Sequence, residues 1–139
     1  MNQNYAVQIV EYVSEGRFRP KNAVIEAIFG DKRVKNLPLV VKCIAGAARK
    51  GKSFILNFFL SYFNHLEMNP NVPWQLDENT KLEGFEFQEG MKRTTVGIWA
   101  WNHIFVVKQS DGSEIAVCLV SENRGEQMGR VKFVRQKIC

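Results

Sequence analysis

The fold of this chain is decided by residues 46–53, which have the sequence Gly46-Ala47-Ala48-Arg49-Lys50-Gly51-Lys52-Ser53. This is a complete G-x-x-x-x-G-K-S phosphate-binding loop, in which each fixed position has its own physical role. The two glycines let the backbone curl until several N–H groups point at one phosphate. Lys52 places an ammonium on the terminal phosphates, and Ser53 offers a hydroxyl to Mg²⁺. The motif therefore predicts a site for nucleotide phosphates.

The sequence on both sides of this loop has the pattern that the motif requires. Residues 39–45 are apolar and rich in β-branched side chains, which predicts a buried strand, and residues 53–63 predict an apolar helix. Strand, loop and helix in this order are the context that supports a phosphate-binding function. A glycine-rich turn without a ligand is the alternative, and the flanking elements disfavour it.

The composition predicts a single soluble domain. The chain has 139 residues, of which 45% are hydrophobic and 24% charged, and this is ordinary for a globular protein. The first residues have neither a basic flank nor an apolar run, so no signal peptide is expected. The longest apolar stretch, residues 53–63, is too short to span a bilayer. We therefore expect no transmembrane segment and a cytoplasmic location.

Cysteine and histidine usage indicates no metal site other than one for Mg²⁺. Cys43 and Cys118 lie in apolar, strand-like runs and are predicted to be buried free thiols, while Cys139 is the last residue. His65 and His103 have no second histidine or cysteine at ligand spacing.

Positive charge is concentrated near the C-terminus. The net charge is +5, and from Ser121 onward five basic residues face two acidic ones, which gives 5 − 2 = +3. Such a tail can hold acidic lipid or nucleic acid, although solvated basic runs are more common. Because no aromatic ladder for stacking bases accompanies the charge, we expect no binding to nucleic acid.

The remaining chain predicts strands that alternate with helices. We predict a strand over residues 6–13, a break near residues 15–17, a helix over 22–29, a loop over 64–83, a short strand over 84–87, a strand region over 98–107 and a final strand over 114–120. This order favours a mostly parallel sheet with an antiparallel edge, flanked by helices, with the 39–45 strand at its centre.

Three stretches of this sequence resemble one family of GTPases. Residues 43–54 resemble the phosphate loop of the atlastin and guanylate-binding protein GTPases, which are large dynamin-related G proteins. Residues 84–87 resemble the G-F-x-W stretch of that family, and residues 95–101 resemble its T-x-G-I-x-x-W switch-one segment. The resemblance covers residues 5–120, and its spacing favours the atlastins. It implies an α/β fold of the P-loop NTPase type, a three-layer sandwich that binds and hydrolyses GTP.

The resemblance also implies roles for individual residues. The nucleotide-binding set would be Gly46, Arg49, Lys50, Gly51, Lys52, Ser53 and Phe54. Arg49 matches an internal arginine finger, which neutralises charge on the γ-phosphoryl oxygens. Thr95 matches the switch threonine, which binds Mg²⁺ with its hydroxyl and orients water with its carbonyl. Because Thr94 is adjacent, the alternative that Thr94 is the switch threonine stays open. Without the family, Arg49 would be interpreted as a solvated loop cation and Thr95 as a polar turn residue.

The resemblance ends where the family has its D-T-x-G motif. Here the chain continues as Ser121-Glu122-Asn123-Arg124-Gly125, so a serine stands in place of the aspartate and the glycine comes one residue late. Glu122 cannot replace the aspartate, because side chains alternate along a strand and Glu122 would point to the other face. The guanine-reading segment, the helical middle domain and the membrane anchors of the family have no counterpart in this sequence.

We therefore expect residues 1–120 to form the first half of a large G domain, and residues 121–139 to be a divergent, disordered basic tail that comes from a splice variant, a read-through or a gene-model error. Three functions remain open. The first is a GTP-binding GTPase, with GTP or GDP and Mg²⁺ as ligands. The second is a truncated, non-catalytic fragment, which binds nucleotide weakly or not at all, or which interacts with full-length relatives by G-domain dimerisation. The third is a basic protein whose tail binds membrane or nucleic acid.

Overall fold

The computed structural model describes residues 4–47, 50–85 and 96–124. Within these ranges the chain forms six strands and two helices. In chain order these are β1 (Ala6–Ser14), β2 (Arg17–Pro20), α1 (Asn22–Phe29), β3 (Leu39–Ala47), α2 (Lys50–Met68), β4 (Gly97–Trp101), β5 (Phe105–Lys108) and β6 (Glu114–Arg124). Neither described helix is long and apolar enough to cross a membrane.

The strands form one mixed sheet in the order β2-β1-β4-β6-β3, with β5 also pairing with β6. Only β3 and β6 are parallel among the described pairs, and the other four pairs are antiparallel. The predicted mostly parallel sheet is therefore wrong, and so is the central position of the 39–45 strand, because β3 ends the described order. Short connections such as those between β1 and β2 or β5 and β6 can join only antiparallel strands.

Several elements agree with the sequence pattern, and others differ at their ends. The predicted strand at 6–13 and helix at 22–29 are present as β1 and α1. The predicted break at residues 15–17 is present as a tight turn, in which Gly16 has φ of 65°, and β2, which the sequence did not predict, follows it. The predicted strand region at 98–107 is divided, because β4 pairs with one end of β6 and β5 with the other.

The structure also changes the ends of the predicted short and final strands. β6 continues past Val120 to Arg124, so its last four residues belong to the segment expected to be disordered. Gly84 and Phe85 lie in no strand, and residues 86–87 of the predicted short strand are outside the described part of the chain. The boundary at residue 120 stays a prediction.

The core consists of two clusters, one on each face of the sheet. On one face Ile28 of α1 packs with Ile9, Cys118 and Val120. On the other face Leu60 and Phe63 of α2 pack with Val117 and Leu119, among other side chains. Alternate residues of β6 thus enter opposite clusters, as strand geometry requires. The result is the predicted α/β arrangement, with a helix on either side of a mixed sheet.

The environments of the two described cysteines are different. Both are free thiols. Cys118 is fully buried, and burial raises its pKa to about 12. Cys43 is exposed, which contradicts the prediction that it is buried. The reason is that Val40 and Ile44 pack in the cluster of α2, so Cys43 lies on the other face of β3, and the described helix of that face, α1, packs mainly against β1.

Candidate functional site

The phosphate-loop motif lies at the carboxyl end of β3, directly before α2. β3 ends at Ala47 and α2 begins at Lys50, so the strand and the helix predicted on either side of the loop are present. β6 runs parallel to β3 and pairs Asn123 with Gly46, which brings the carboxyl ends of both strands to the same edge. Crevices at the carboxyl ends of parallel strands are where open α/β sheets bind ligands.

Lys52 lies at the centre of this edge. Its ammonium donates hydrogen bonds to the carbonyl oxygens of Gly46 at 3.2 Å and Glu122 at 2.9 Å. The residue is only 6% exposed. This burial lowers the pKa of Lys52 to about 8, although the negative charge of Glu122 acts in the opposite direction. A buried cation is therefore held beside the loop by the backbone.

The first turn of α2 has a charge pattern that suits an anion. It contains no acidic residue, and the sequence there has Lys50 and Lys52. Cations at a helix N-terminus are unfavourable next to the positive end of the helix dipole, unless an anion compensates. Gly46 has φ of 150°, where L side chains are strained, and no atom lies within 4 Å of a Cβ built on Gly51. The backbone can therefore approach a ligand closely.

The structure describes only some of the predicted site residues. Ser53 follows Lys52 in the first turn of α2 and is half-buried, whereas the Phe54 side chain is 56% exposed. The two predicted catalytic residues, Arg49 and Thr95, lie outside the described residues, and so does the side chain of Lys50. The described part of the site therefore consists of Gly46, Gly51, Lys52, Ser53 and Phe54.

Two polar pairs occupy the end of β6, where the sequence resemblance leads us to expect D-T-x-G. The hydroxyl of Ser121 donates to Oδ1 of Asn123 at 2.7 Å, and both residues are buried. Nε of Arg124 donates to Oε1 of Glu122 at 3.0 Å. The pairing of residues two apart confirms that Ser121 and Glu122 point to opposite faces. Continuing the alternation of β6 places the neutral pair on the face of α2.

Two buried amides were missed by the sequence reasoning. Oδ1 of Asn57 in α2 accepts from the backbone N–H of Phe85 at 2.7 Å, and its Nδ2 donates to the Phe85 carbonyl at 3.0 Å. Nε2 of Gln8 in β1 donates to the Val96 carbonyl at 3.0 Å. A sequence signal was available in both cases, because each amide interrupts an apolar run. A buried amide in such a run needs a partner.

The described residues suit Mg²⁺ only if a nucleotide brings it. They contain no group of three or more His, Cys, Asp or Glu side chains that could hold a metal. Ser53, the residue after Lys52, has a hydroxyl oxygen of the type that Mg²⁺ accepts as a ligand. Mg²⁺ is commonly bound by one or two protein oxygens together with substrate phosphates, and this donor set fits that mode.

Comparison with a family model and comparison with individual proteins indicate the same family. The family model for the guanylate-binding protein N-terminal domain matches residues 15–130, ten residues beyond Val120. Atlastin-1 of Bos taurus is 34% identical over 114 residues, which cover 82% of this chain and 20% of that protein. Human atlastin-2 is 35% identical over 121 residues, covering 86% of this chain and 20% of that protein. The chain thus spans about a fifth of the length of these relatives. It belongs to the family of the guanylate-binding protein N-terminal domain, and it is similar to the atlastins within it.

Proposed function

We propose that this chain binds guanine nucleotides, GTP or GDP, together with Mg²⁺, at the loop between β3 and α2. The observation that carries the proposal is the ammonium of Lys52, which is buried against the Gly46 and Glu122 carbonyls next to a glycine-containing loop. A phosphate oxygen would be a stronger partner for this cation than either carbonyl, because the phosphate carries a negative charge that the neutral carbonyls lack.

The roles of the other residues follow from the same loop. Backbone N–H groups from Lys50 to Phe54 would hold the phosphates, and the Ser53 hydroxyl would bind Mg²⁺. Arg49 would neutralise charge on the γ-phosphate, and Thr95 would orient the attacking water. The last two roles rest on the family resemblance.

GTP hydrolysis is the activity that the family resemblance supports, but in this chain we expect phosphate release at or near background. The reason is the end of β6, where a neutral Ser121–Asn123 pair stands in place of an aspartate. A carboxylate there would orient the water shell of the metal, and catalysis depends on such fixed geometry. This favours a non-catalytic nucleotide-binding fragment as the second candidate function. Phosphate release that is measurable and lost in Lys52→Ala would contradict this expectation.

Binding itself is tested by titration of a fluorescent GTP analogue with and without Mg²⁺. We expect Mg²⁺-dependent binding that Lys52→Ala abolishes, with Lys42→Ala as the matched control, because Lys42 is an exposed lysine of β3. We expect little preference for GTP over ATP, since the loop and Lys52 would contact the phosphates and not the base. Equal affinity of wild type and Lys52→Ala would refute the proposal, and a strong preference for GTP would show that residues of this chain also contact the base.

Two further expectations rest on the resemblance alone. They are pairing of this G domain with those of longer relatives, and a cytoplasmic location. Co-purification with a full-length relative, in the presence and absence of GTP, tests the first, and cell fractionation tests the second.

A further inference from the structure

The two strands that end the described sheet order differ in how their edges are protected. β2 has the sequence Arg17-Phe18-Arg19-Pro20, so it carries two arginines and a proline. β3, at the other end, has nine residues and a single charged side chain, that of Lys42. Charged side chains and proline are the usual protection of a sheet edge against pairing with another strand. β2 therefore has this protection, and β3 has little of it.

The hydrogen bonds between β3 and β6 show which backbone groups of β3 face its outer edge. The two strands pair in an unbroken parallel register, in which Leu39 is the partner of Ala116. The N–H of Ala116 donates to the Pro38 carbonyl at 2.9 Å. Because backbone directions alternate along a strand, the even-numbered residues of β3 bond to β6. The N–H and C=O groups of Leu39, Val41 and Cys43 therefore point away from β6.

The side chains of the same three residues lie on the face of β3 away from α2. Val40 and Ile44 pack in the α2 cluster, which places Leu39, Val41 and Cys43 on the opposite face. Leu39 is 47% exposed, Val41 is 51% exposed, and Cys43 is also exposed. Exposed apolar side chains thus coincide with outward backbone groups, and this combination favours the addition of a strand.

We propose that the edge of β3 binds a second copy of this chain, by antiparallel pairing of the two β3 strands into one continuous sheet. A two-fold axis makes two identical strands antiparallel, and the contact is self-complementary because each copy supplies the same edge. Each outward N–H then has an outward C=O as its partner.

The charge of Lys42 restricts where the two-fold axis can lie. An axis at Lys42 would place two like charges directly opposite each other, which is destabilising. An axis at Val41 instead places Lys42 opposite Val40 of the second copy, and the outward groups of Leu39 opposite those of Cys43. The paired residues are then 39–43, and Gly46 of the phosphate loop lies outside the contact.

The contact is small, so the association should be weak. Pairing of residues 39–43 buries less than the roughly 1,600 Å² of a standard stable interface, and we expect a dissociation constant of roughly 10–100 µM. The chains are then separate at the concentration of about 1 µM that suits urea unfolding, and dimeric near 1 mM.

Hydrogen exchange of individual β3 amides, followed by NMR without nucleotide, tests the pairing directly. We expect the amides of Val41 and Cys43 to exchange at least threefold more slowly at about 1 mM protein than at about 10 µM. The amides of Val40 and Lys42, which bond to β6, should be slow at both concentrations. Exchange of Val41 and Cys43 that does not depend on protein concentration would overturn the proposal.

Substitutions at Val41 test the same contact by sedimentation velocity. Val41→Pro removes an outward N–H and keeps the bonds to β6, which is where edge strands accept proline. Its dimer dissociation constant should be at least tenfold higher than that of wild type. Val41→Lys covers the case in which the proline variant does not fold, because it places two like charges opposite each other at the axis and should weaken the dimer equally.

Val13→Lys is the matched control, since Val13 is an exposed valine of β1, which has a strand on either side. Its dissociation constant should stay within twofold of wild type. A wild type that sediments as a monomer at every concentration, or a dimer that both Val41 variants leave intact, would overturn the proposal. Neither measurement uses a nucleotide, so failure of the pairing would leave the proposed function unaffected.

Discussion

At the scale of single residues, Lys52 illustrates how a candidate functional site conflicts with stability. A lysine whose pKa falls to about 8 through burial destabilises the folded chain while it is protonated. The two carbonyl bonds offset only part of this cost. A polar group retained at such a cost is typical of a site arranged for a ligand.

This conflict predicts how stability depends on pH. Below pH 8 Lys52 is protonated in both states, whereas between pH 8 and its ordinary value of 10.5 it is charged only in the unfolded chain. Unfolding then takes up a proton, so the free energy of unfolding rises with pH. Relative to Lys52→Met, wild-type stability should rise by about 2–3 kcal/mol from pH 7 to 10, at about 1.4 kcal/mol per unit of pH.

Urea unfolding at a series of pH values measures both proteins, and the variant is the control for all other titrating groups. Parallel stability curves for the two proteins would show that Lys52 is not desolvated in the folded state.

At the scale of elements, the close approach of two strand backbones explains why position 97, in the T-x-G-I stretch of residues 95–98, is a glycine. Gly97 begins β4, and its position allows β4 to lie against the bulged part of β1 between Gln8 and Val10. The glycine is therefore required by strand packing, whatever the function of its neighbours.

We predict that Gly97→Ala costs at least 3 kcal/mol of unfolding free energy. The added methyl group would meet the Val10 carbonyl at 2.1 Å, and the backbone φ of 135° is also unfavourable for alanine. Gly16→Ala is the control, because Gly16 also has a positive φ, of 65°, but nothing lies within 4 Å of its Cβ position. That variant should cost only about 1 kcal/mol. Similar costs for the two, by urea unfolding, would mean that β4 can shift away from β1.

At the scale of the whole molecule, stability depends on a sheet whose faces are unequally covered. Leu119 is fully buried beneath α2, whereas Leu39 and Val41 of β3 are 47% and 51% exposed. Such exposed apolar side chains at the end of a sheet contribute little to stability and favour association. We therefore expect a marginally stable domain.

Truncation of one buried and one exposed leucine tests whether stability comes mainly from the covered part of the sheet. Leu119→Ala should lower the free energy of unfolding by about 2–5 kcal/mol through loss of burial and formation of a cavity. Leu39→Ala should change it by no more than about 0.5 kcal/mol. Circular dichroism during urea unfolding measures both. A large loss in Leu39→Ala would show that the edge of β3 is covered in solution.

The sequence by itself determined the features that depend on neighbouring residues. We predicted β1, α1, β3 and α2, because local periodicity specifies them. The family followed from three short stretches of contiguous sequence. Only the tertiary structure decided the relative direction and the order of the strands, because both depend on pairing between residues that are far apart in the chain. It also decided the distant hydrogen-bond partners of Lys52, Asn57 and Gln8, which are backbone groups 70, 28 and 88 residues away, and backbone groups have no sequence signature.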